Sequence, residues 1–200
     1  MRILCIGASN TYGHDPLSYI GSRYPEDVRW TGRLGGRDVL NCGLNGMAVP
    51  REAAPYTDLI RENDSDLVIV MLGTNDLLEG RGAEETGRRM EAFLEAVGEH
   101  AKAILLIAPP RPKTGEWVQS EGLIKESEKL GELYRELADR LGCRFADAGE
   151  WDIEMTYDGV HFSPAGHGEF ARKLEGVLAD AAENVPEDMP ADIPEEGESW

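Results

Sequence analysis

The strongest constraint on the fold is a series of short apolar runs that end at glycine, proline or polar turns. Leu67–Leu72 is apolar without interruption, rich in β-branched residues, and followed by Gly73. Such a run is typical of a parallel strand that is covered by helices on both faces. Shorter runs of the same kind occupy residues 3–6, 39–42, 103–108 and 144–146. The sequence therefore predicts a parallel sheet of five strands.

Segments with helical periodicity alternate with these runs. Met90, Phe93, Leu94 and Val97 are spaced as one face of a helix over residues 83–100. A longer apolar stripe runs through residues 123–141. A last helix is expected to begin at Ser163-Pro164, and shorter helices are predicted at 28–34 and 55–61. Alternation of this kind is typical of the α/β class and predicts a three-layer α/β/α sandwich.

The sequence indicates one domain followed by a short tail. A chain of 200 residues has an ordinary single-domain length and contains no internal repeat. Prolines set among acidic residues fill its last part. We therefore place the folded domain at residues 1–182 and predict a disordered acidic tail at 183–200.

Charge and cysteine content limit the partners and the compartment. The formal net charge is −18, with 38 acidic and 20 basic residues, so nucleic acid and anionic membranes are not expected partners. No apolar run approaches the roughly 20 residues that a membrane span requires. Three cysteines without a CxxC pair favour free thiols in a reducing compartment. With no leader expected before the first strand, we predict a soluble cytoplasmic protein.

Three of the predicted strands end in turns with unusual polar content. Ser9 follows the first strand just beyond Gly7. The turn Gly43–Gly46 follows the second strand, and Asn75 lies in the turn after the third. Turns at the carboxyl ends of neighbouring parallel strands meet at one edge of the sheet, where ligands bind in open α/β folds. The Ser9 hydroxyl is then either a nucleophile or a donor in a phosphate-binding loop.

A late loop supplies a base for such a nucleophile. Asp158 and His161 are three residues apart across Gly159. This spacing lets the carboxylate accept from Nδ1 while Nε2 faces a serine, as in a catalytic triad. The oxygen that becomes negative during ester hydrolysis also needs preorganised donors, and a glycine N–H or an asparagine amide provides them without a charge. The sequence thus contains the parts of a serine esterase.

Four segments together resemble the blocks of a known family. They are Gly7–Gly13, Gly43–Gly46, Gly73–Asp76 and Asp158–His161, and they resemble the four blocks of the SGNH hydrolase, or GDSL esterase, family in the family's order. The resemblance extends across nearly the whole chain before the tail. It implies a flavodoxin-like fold and an enzyme that needs no cofactor.

The same resemblance implies roles for individual residues. Ser9 would be the nucleophile, with Asp158 and His161 as its partners. The oxyanion would be bound by the amides of Ser9 and Gly46 and by the side chain of Asn75. Short acyl esters, acetyl above all, would be the substrates.

Two further segments are similar to the arylesterase and acyltransferase branch of the family, namely Arg29–Gly32 and Met71–Leu77. That branch includes enzymes that deacetylate sugars and enzymes that transfer the acyl group to an alcohol, and its members suggest a homo-oligomer. The chain departs from the family at Ala8, where aspartate is usual, and from the branch at Met47, where arginine is usual. Reduced activity, leaving a protein that only binds acylated carbohydrate, is therefore one alternative.

A second alternative is a flavodoxin-like binding protein in which Gly7–Gly13 holds a flavin phosphate. It would leave Asn75 and the Asp158–His161 pair without a role. For the esterase, we consider Trp30, Trp117 and Phe162 as candidates to line the substrate pocket, although core or surface packing explains each of them equally well. His14 is expected at most in the pocket wall, and no cluster has the spacing of metal ligands.

Overall fold

Five parallel strands form the centre of the fold in the computed structural model, which describes residues 1–18 and 22–183. The strands are β1 (Arg2–Gly7), β2 (Asp38–Gly43), β3 (Leu67–Met71), β4 (Ile104–Ala108) and β5 (Arg144–Asp147). Their spatial order is β2-β1-β3-β4-β5, and every pairing is parallel. β3 and β4 are buried at every position, as their unbroken apolar sequences predict.

Within the residues that the structure describes, six α-helices surround this sheet. They are α1 (Ser9–Tyr12), α2 (Ala54–Asn63), α3 (Thr74–Leu78), α4 (Ala83–Gly98), α5 (Glu121–Leu141) and α6 (Pro164–Glu183). Short 3₁₀ turns cover Trp30–Arg33 and Ala148–Glu150. The sheet separates two hydrophobic clusters. One contains Met90 and Phe93 of α4 with Tyr134 of α5, and the other contains Trp30 with Phe170 and Leu174 of α6. The predicted three-layer sandwich with flavodoxin-like strand order is therefore confirmed.

The predicted elements match the observed ones closely where the apolar period is strong. The helix predicted at 55–61 spans Ala54–Asn63, and the one predicted at 123–141 begins at Glu121. The segment 28–34 contains a 3₁₀ turn rather than an α-helix. The helices α1 and α3 were not predicted, because four or five residues are too few to show a helical period.

The turns after β1, β2 and β3 meet at one edge of the sheet. Gly7, the last residue of β1, is in register with Gly43 on one side and with Met71 on the other. The Leu44 N–H also donates to the Gly7 carbonyl at 3.0 Å. This edge therefore gathers the polar turns that the sequence placed after these strands.

Among the described helices, none combines the length and the apolar character that crossing a membrane requires. The proposed tail, apart from its first residue, lies outside the described residues, so the boundary at 183 stays a prediction.

Candidate active site

Ser9 is the first residue of α1 and lies directly beyond the end of β1. The short helix is closed by backbone bonds in which the N–H groups of Thr11 and Tyr12 donate to the Ala8 carbonyl at 3.1 and 2.9 Å. Ser9 is 7% exposed and lines a small cavity at the sheet edge. The sequence predicted Ser9 at this edge of the sheet, and the structure has it there.

The Asp158–His161 pair is held by a tight turn. The Thr156 N–H donates to the His161 carbonyl at 2.7 Å, which closes the loop into a hairpin. Inside it, Oδ1 of Asp158 accepts the N–H groups of Val160 and His161 at 2.8 and 2.9 Å. Its Oδ2 lies 2.7 Å from Nδ1 of His161. The pairing that the three-residue spacing suggested is present.

These hydrogen bonds determine the charge of Asp158 and the tautomer of His161. Burial alone would raise the pKa of Asp158, but the two backbone N–H groups and the imidazole together hold it below its usual value. An ionised carboxylate only accepts hydrogen bonds, so Nδ1 of His161 carries the proton. Nε2 is left as an acceptor, which is the form that a general base needs.

A second segment packs directly on the hairpin. The N–H groups of Lys113 and Trp117 donate to the carbonyls of Gly159 and Asp158 at 2.8 and 3.1 Å. At Gly159, which has φ +80°, an added Cβ would lie 2.0 Å from the Lys113 carbonyl oxygen. A side chain there would force the two segments apart, so the close packing requires glycine.

Two aromatic rings flank the imidazole of His161. The ring of His14 lies 4.8 Å from it and the ring of Trp117 lies 5.1 Å from it, measured between centroids, and both contacts are edge-to-face. His14 also approaches Asn45, with 3.4 Å between its Nδ1 and the Asn45 Nδ2. Trp117 is 54% exposed. The structure thus places Trp117 and His14 beside the proposed base.

The other two aromatic candidates lie elsewhere. Trp30 and Phe162 are fully buried, and the rings of both pack against Phe170. The indole N–H of Trp30 donates to the Asn10 carbonyl at 2.9 Å. Both side chains therefore belong to the core between the sheet and α6 rather than to a substrate pocket. The sequence could not separate these cases because all three residues are large aromatics near candidate loops.

The turn with Gly46 is tied to α3 and α4 by three side chains. The Nδ2 group of Asn75 donates to the Met47 carbonyl at 3.1 Å. Asp76 accepts the Val49 N–H at 2.8 Å, and Arg89 donates both to Asp76, at 2.8 Å, and to the Val49 carbonyl. Asp76 is fully buried. These bonds set the position of the chain that follows Gly46 relative to Asn75.

Arg89 and Asn10 were not identified from the sequence. Arg89 lies on α4 among the buried positions Thr86, Met90 and Phe93, which makes a charged residue there unusual. Asn10 side-chain atoms bond to the carbonyl of Val160 and to the N–H of Phe162. In the sequence, Asn10 was marked by its position next to Ser9. Its hydrogen-bond partners could not be identified because they lie far away in the chain.

The small cavity beside Ser9 has mostly apolar walls. Its lining includes Ala8, Met71, Pro109, Pro110 and Val160, together with Asn75. Its free volume is about 10 Å³, close to the roughly 10–15 Å³ that a single water needs. Ala8 thus forms part of an apolar wall.

Residues 5–168 match the family model of the GDSL-like lipases and acylhydrolases. The chain belongs to this family. It is accordingly a serine ester hydrolase, and the non-catalytic flavodoxin-like alternative does not hold. No curated protein sequence matches this GDSL-like hydrolase significantly.

Solved structures agree with this membership. An aryl esterase from M. smegmatis is 28% identical with a TM-score of 0.76, and the match covers 90% of this chain and 98% of that one. A carbohydrate acetylesterase from Sinorhizobium meliloti is 27% identical with a TM-score of 0.73, covering 90% of this chain and 99% of that one. The GDSL-like hydrolase is thus similar to esterases along nearly their whole length.

No group of three or more His, Cys, Asp or Glu residues within the described part of the GDSL-like hydrolase has the geometry of a metal site.

Proposed function

We propose that this chain hydrolyses short-chain acyl esters, with acetyl preferred, through an acyl-enzyme on Ser9. The observation that carries the proposal is the buried, hydrogen-bonded Asp158–His161 pair on a loop that reaches the cavity lined by Ser9. Val160, the residue before His161, lines that cavity together with Ser9.

In the first half of the reaction, Ser9 Oγ attacks the ester carbonyl carbon and Nε2 of His161 takes the hydroxyl proton. Asp158 stabilises the imidazolium that forms. When the tetrahedral intermediate collapses, the carbon–oxygen bond to the alcohol breaks and His161 gives its proton to the leaving oxygen. Water then repeats these steps on the acyl-enzyme and releases the acid and free Ser9.

The negative oxygen of the intermediate would be bound by the amides of Ser9 and Gly46 and by Asn75. An amide side chain has two N–H groups, and one of those of Asn75 is engaged by the Met47 carbonyl. The second remains for the substrate. Gly46 has φ +70° in an exposed turn directly before Met47, so its N–H lies on the same short stretch that Asn75 holds. Donors fixed in this way stabilise charge without reorganising.

The cavity beside Ser9 supports the preference for acetyl. Its small free volume, about 10 Å³, favours a short acyl group over a long one. Two prolines, Pro109 and Pro110, form part of its wall, and their fixed φ angles limit how far that wall can move.

The surroundings of His161 support a sugar as the alcohol. Because His161 protonates the leaving oxygen, the alcohol must bind beside its ring, where His14 and Trp117 also lie. The exposed indole of Trp117 offers a flat surface for the apolar face of a sugar ring. Burial and the neighbouring His161 lower the pKa of His14, so a neutral imidazole is present to donate to and accept from sugar hydroxyls.

The test compares wild type, Ser9→Ala and Ser65→Ala on p-nitrophenyl acetate, butyrate and octanoate. Ser65 is a buried serine that lies just before the first residue of β3, at the end of the sheet opposite to Ser9. Its variant therefore controls for the loss of a buried hydroxyl. We expect turnover to fall steeply from acetate to octanoate and to vanish only in Ser9→Ala. Equal rates for wild type and Ser9→Ala would rule out the proposed nucleophile.

A second measurement tests the alcohol. Trp117→Ala is expected to raise KM for acetylated monosaccharides at least fivefold, with less effect on the KM for p-nitrophenyl acetate than for the sugars. Unchanged KM values for the acetylated sugars would contradict the sugar assignment and leave the esterase assignment intact.

A further inference from the structure

The side chain of Asn10 is hydrogen-bonded to the main chain on both sides of His161. Its Nδ2 donates to the Val160 carbonyl at 2.9 Å, and its Oδ1 accepts the Phe162 N–H at 2.9 Å. These two backbone groups belong to the peptide units that flank His161. A single carboxamide therefore fixes the backbone on either side of the proposed base.

The backbone of Asn10 is anchored as firmly as its side chain. Asn10 follows Ser9 in α1, and its carbonyl accepts the indole N–H of Trp30 at 2.9 Å. Trp30 is fully buried. The carboxamide thus projects from a fixed point one residue away from the Ser9 hydroxyl.

Among the described residues, the other hydrogen bonds of the hairpin do not reach α1. Asp158 bonds within the hairpin itself, and Lys113 and Trp117 join the hairpin to residues 113–118. Asn10 is instead hydrogen-bonded to Val160, which lies 150 positions further along the sequence. It connects the element that carries the nucleophile to the element that carries the base.

We propose that Asn10 is a positioning residue that sets the place of the His161 imidazole relative to the Ser9 hydroxyl. The inference rests on the proposed function, since it assigns Asn10 a part in the same site. A carboxamide suits this role because it donates and accepts at once. Aspartate would place a second acceptor against the Val160 carbonyl, and alanine would leave both backbone groups without this partner.

The experiment measures kcat and KM for p-nitrophenyl acetate in wild type, Asn10→Ala and Asn10→Asp. Misplacing a catalytic group by about 1 Å costs on the order of 10²-fold in rate. We expect both variants to lose about 10- to 100-fold in kcat with KM within about twofold of wild type. Val97→Ala, a core substitution at the far end of α4, serves as the stability control.

Proton NMR provides a second measurement, which monitors the imidazole of His161 and does not require substrate turnover. The Nδ1 proton that His161 shares with Asp158 should give a proton NMR resonance far downfield of the amides, assigned by its disappearance in His161→Gln. In Asn10→Ala and Asn10→Asp we expect this resonance to broaden or vanish, while it persists in Val97→Ala. A lower melting temperature alone would leave the resonance in place.

A kcat within twofold of wild type in either Asn10 variant would overturn the proposal. So would equal losses of kcat in Asn10→Ala and Val97→Ala at matched melting temperature. If Asn10→Ala does not fold, the isosteric Asn10→Asp decides by the same criteria. If wild type hydrolyses no ester, the proposed function fails, and the resonance still shows whether Asn10 fixes His161.

Discussion

The carboxylate of Asp158 and the imidazole of His161 form a 2.7 Å hydrogen bond inside a hairpin that excludes almost all solvent, with 0% and 3% of the two residues exposed. The same carboxylate accepts two backbone N–H groups, which keep it ionised. A single aspartate therefore both shapes the turn and fixes the tautomer of the histidine.

Asp158→Asn should separate these two functions. The amide oxygen can still accept from the backbone, but an amide N–H facing Nδ1 forces the proton of His161 onto Nε2. A histidine in that tautomer cannot act as the base, and we expect kcat for p-nitrophenyl acetate to fall by about 10³- to 10⁴-fold.

The matched control for that substitution is Asp152→Asn. Asp152 is a highly exposed aspartate paired with Lys113, close in sequence to the hairpin. We expect its kcat to stay within twofold of wild type. A loss of less than tenfold in Asp158→Asn would show that the tautomer of His161 does not limit the rate.

Asn75→Ala should lower kcat by about 10²- to 10³-fold with little change in KM. Its free N–H is assigned to the oxyanion, which develops charge only after attack, so its loss affects the transition state more than substrate binding. Steady-state kinetics with p-nitrophenyl acetate give both constants. Asn63→Ala, at the end of α2, is the control and should match wild type. A rise in KM with unchanged kcat would contradict the assignment.

Asp76→Ala should lower the free energy of unfolding by about 3–5 kcal/mol. It leaves the partly buried Arg89 without its carboxylate partner and the buried Val49 N–H without an acceptor, and breaking an ion pair with a fully buried carboxylate costs about this much. Arg140→Ala breaks the more exposed pair with Glu91 and should cost less than about 1 kcal/mol. Urea unfolding monitored by circular dichroism measures both. Equal costs would mean that Asp76 does not hold the Gly46 turn.

His167 should make the fold sensitive to acid. It is fully buried between the rings of Tyr24 and Phe162, and burial, together with Arg33 and Arg29, lowers its pKa to about 3. The unfolded chain binds this proton with a pKa of about 6.5. Its contribution to stability is therefore complete above about pH 6.5 and declines as the pH falls toward 3, by up to about 1.4 kcal/mol per pH unit.

The measurement is the free energy of unfolding between pH 7 and pH 5 for wild type, His167→Gln and His100→Gln. We expect the slope to flatten in His167→Gln, because glutamine does not titrate. His100 is exposed at the end of α4, and its variant should keep the wild-type slope. Identical slopes in all three proteins would show that His167 is not responsible.

Much of the sheet and of the site could be predicted from local sequence. Leu67–Leu72 is apolar at every position, so a strand covered on both faces was the natural interpretation, and β3 is buried throughout. The helices α1 and α3 were not predicted, because their few residues are held by contacts with other parts of the chain and show no helical period of their own. The same holds for Trp30 and Phe162, whose burial depends on α6.

The order of strands and helices, the polar turns at the strand ends and the Asp158–His161 pair could all be predicted from the sequence, since each depends on residues that are close together in the chain. The bonds of Asn10 on both sides of His161, and those of Asp76 and Arg89 to the chain after Gly46, are visible in the folded structure alone. These bonds join residues between 13 and 152 positions apart. A hydrogen bond at such a separation leaves no periodic trace in the sequence, because it exists only once the packed sheet has brought its two ends together.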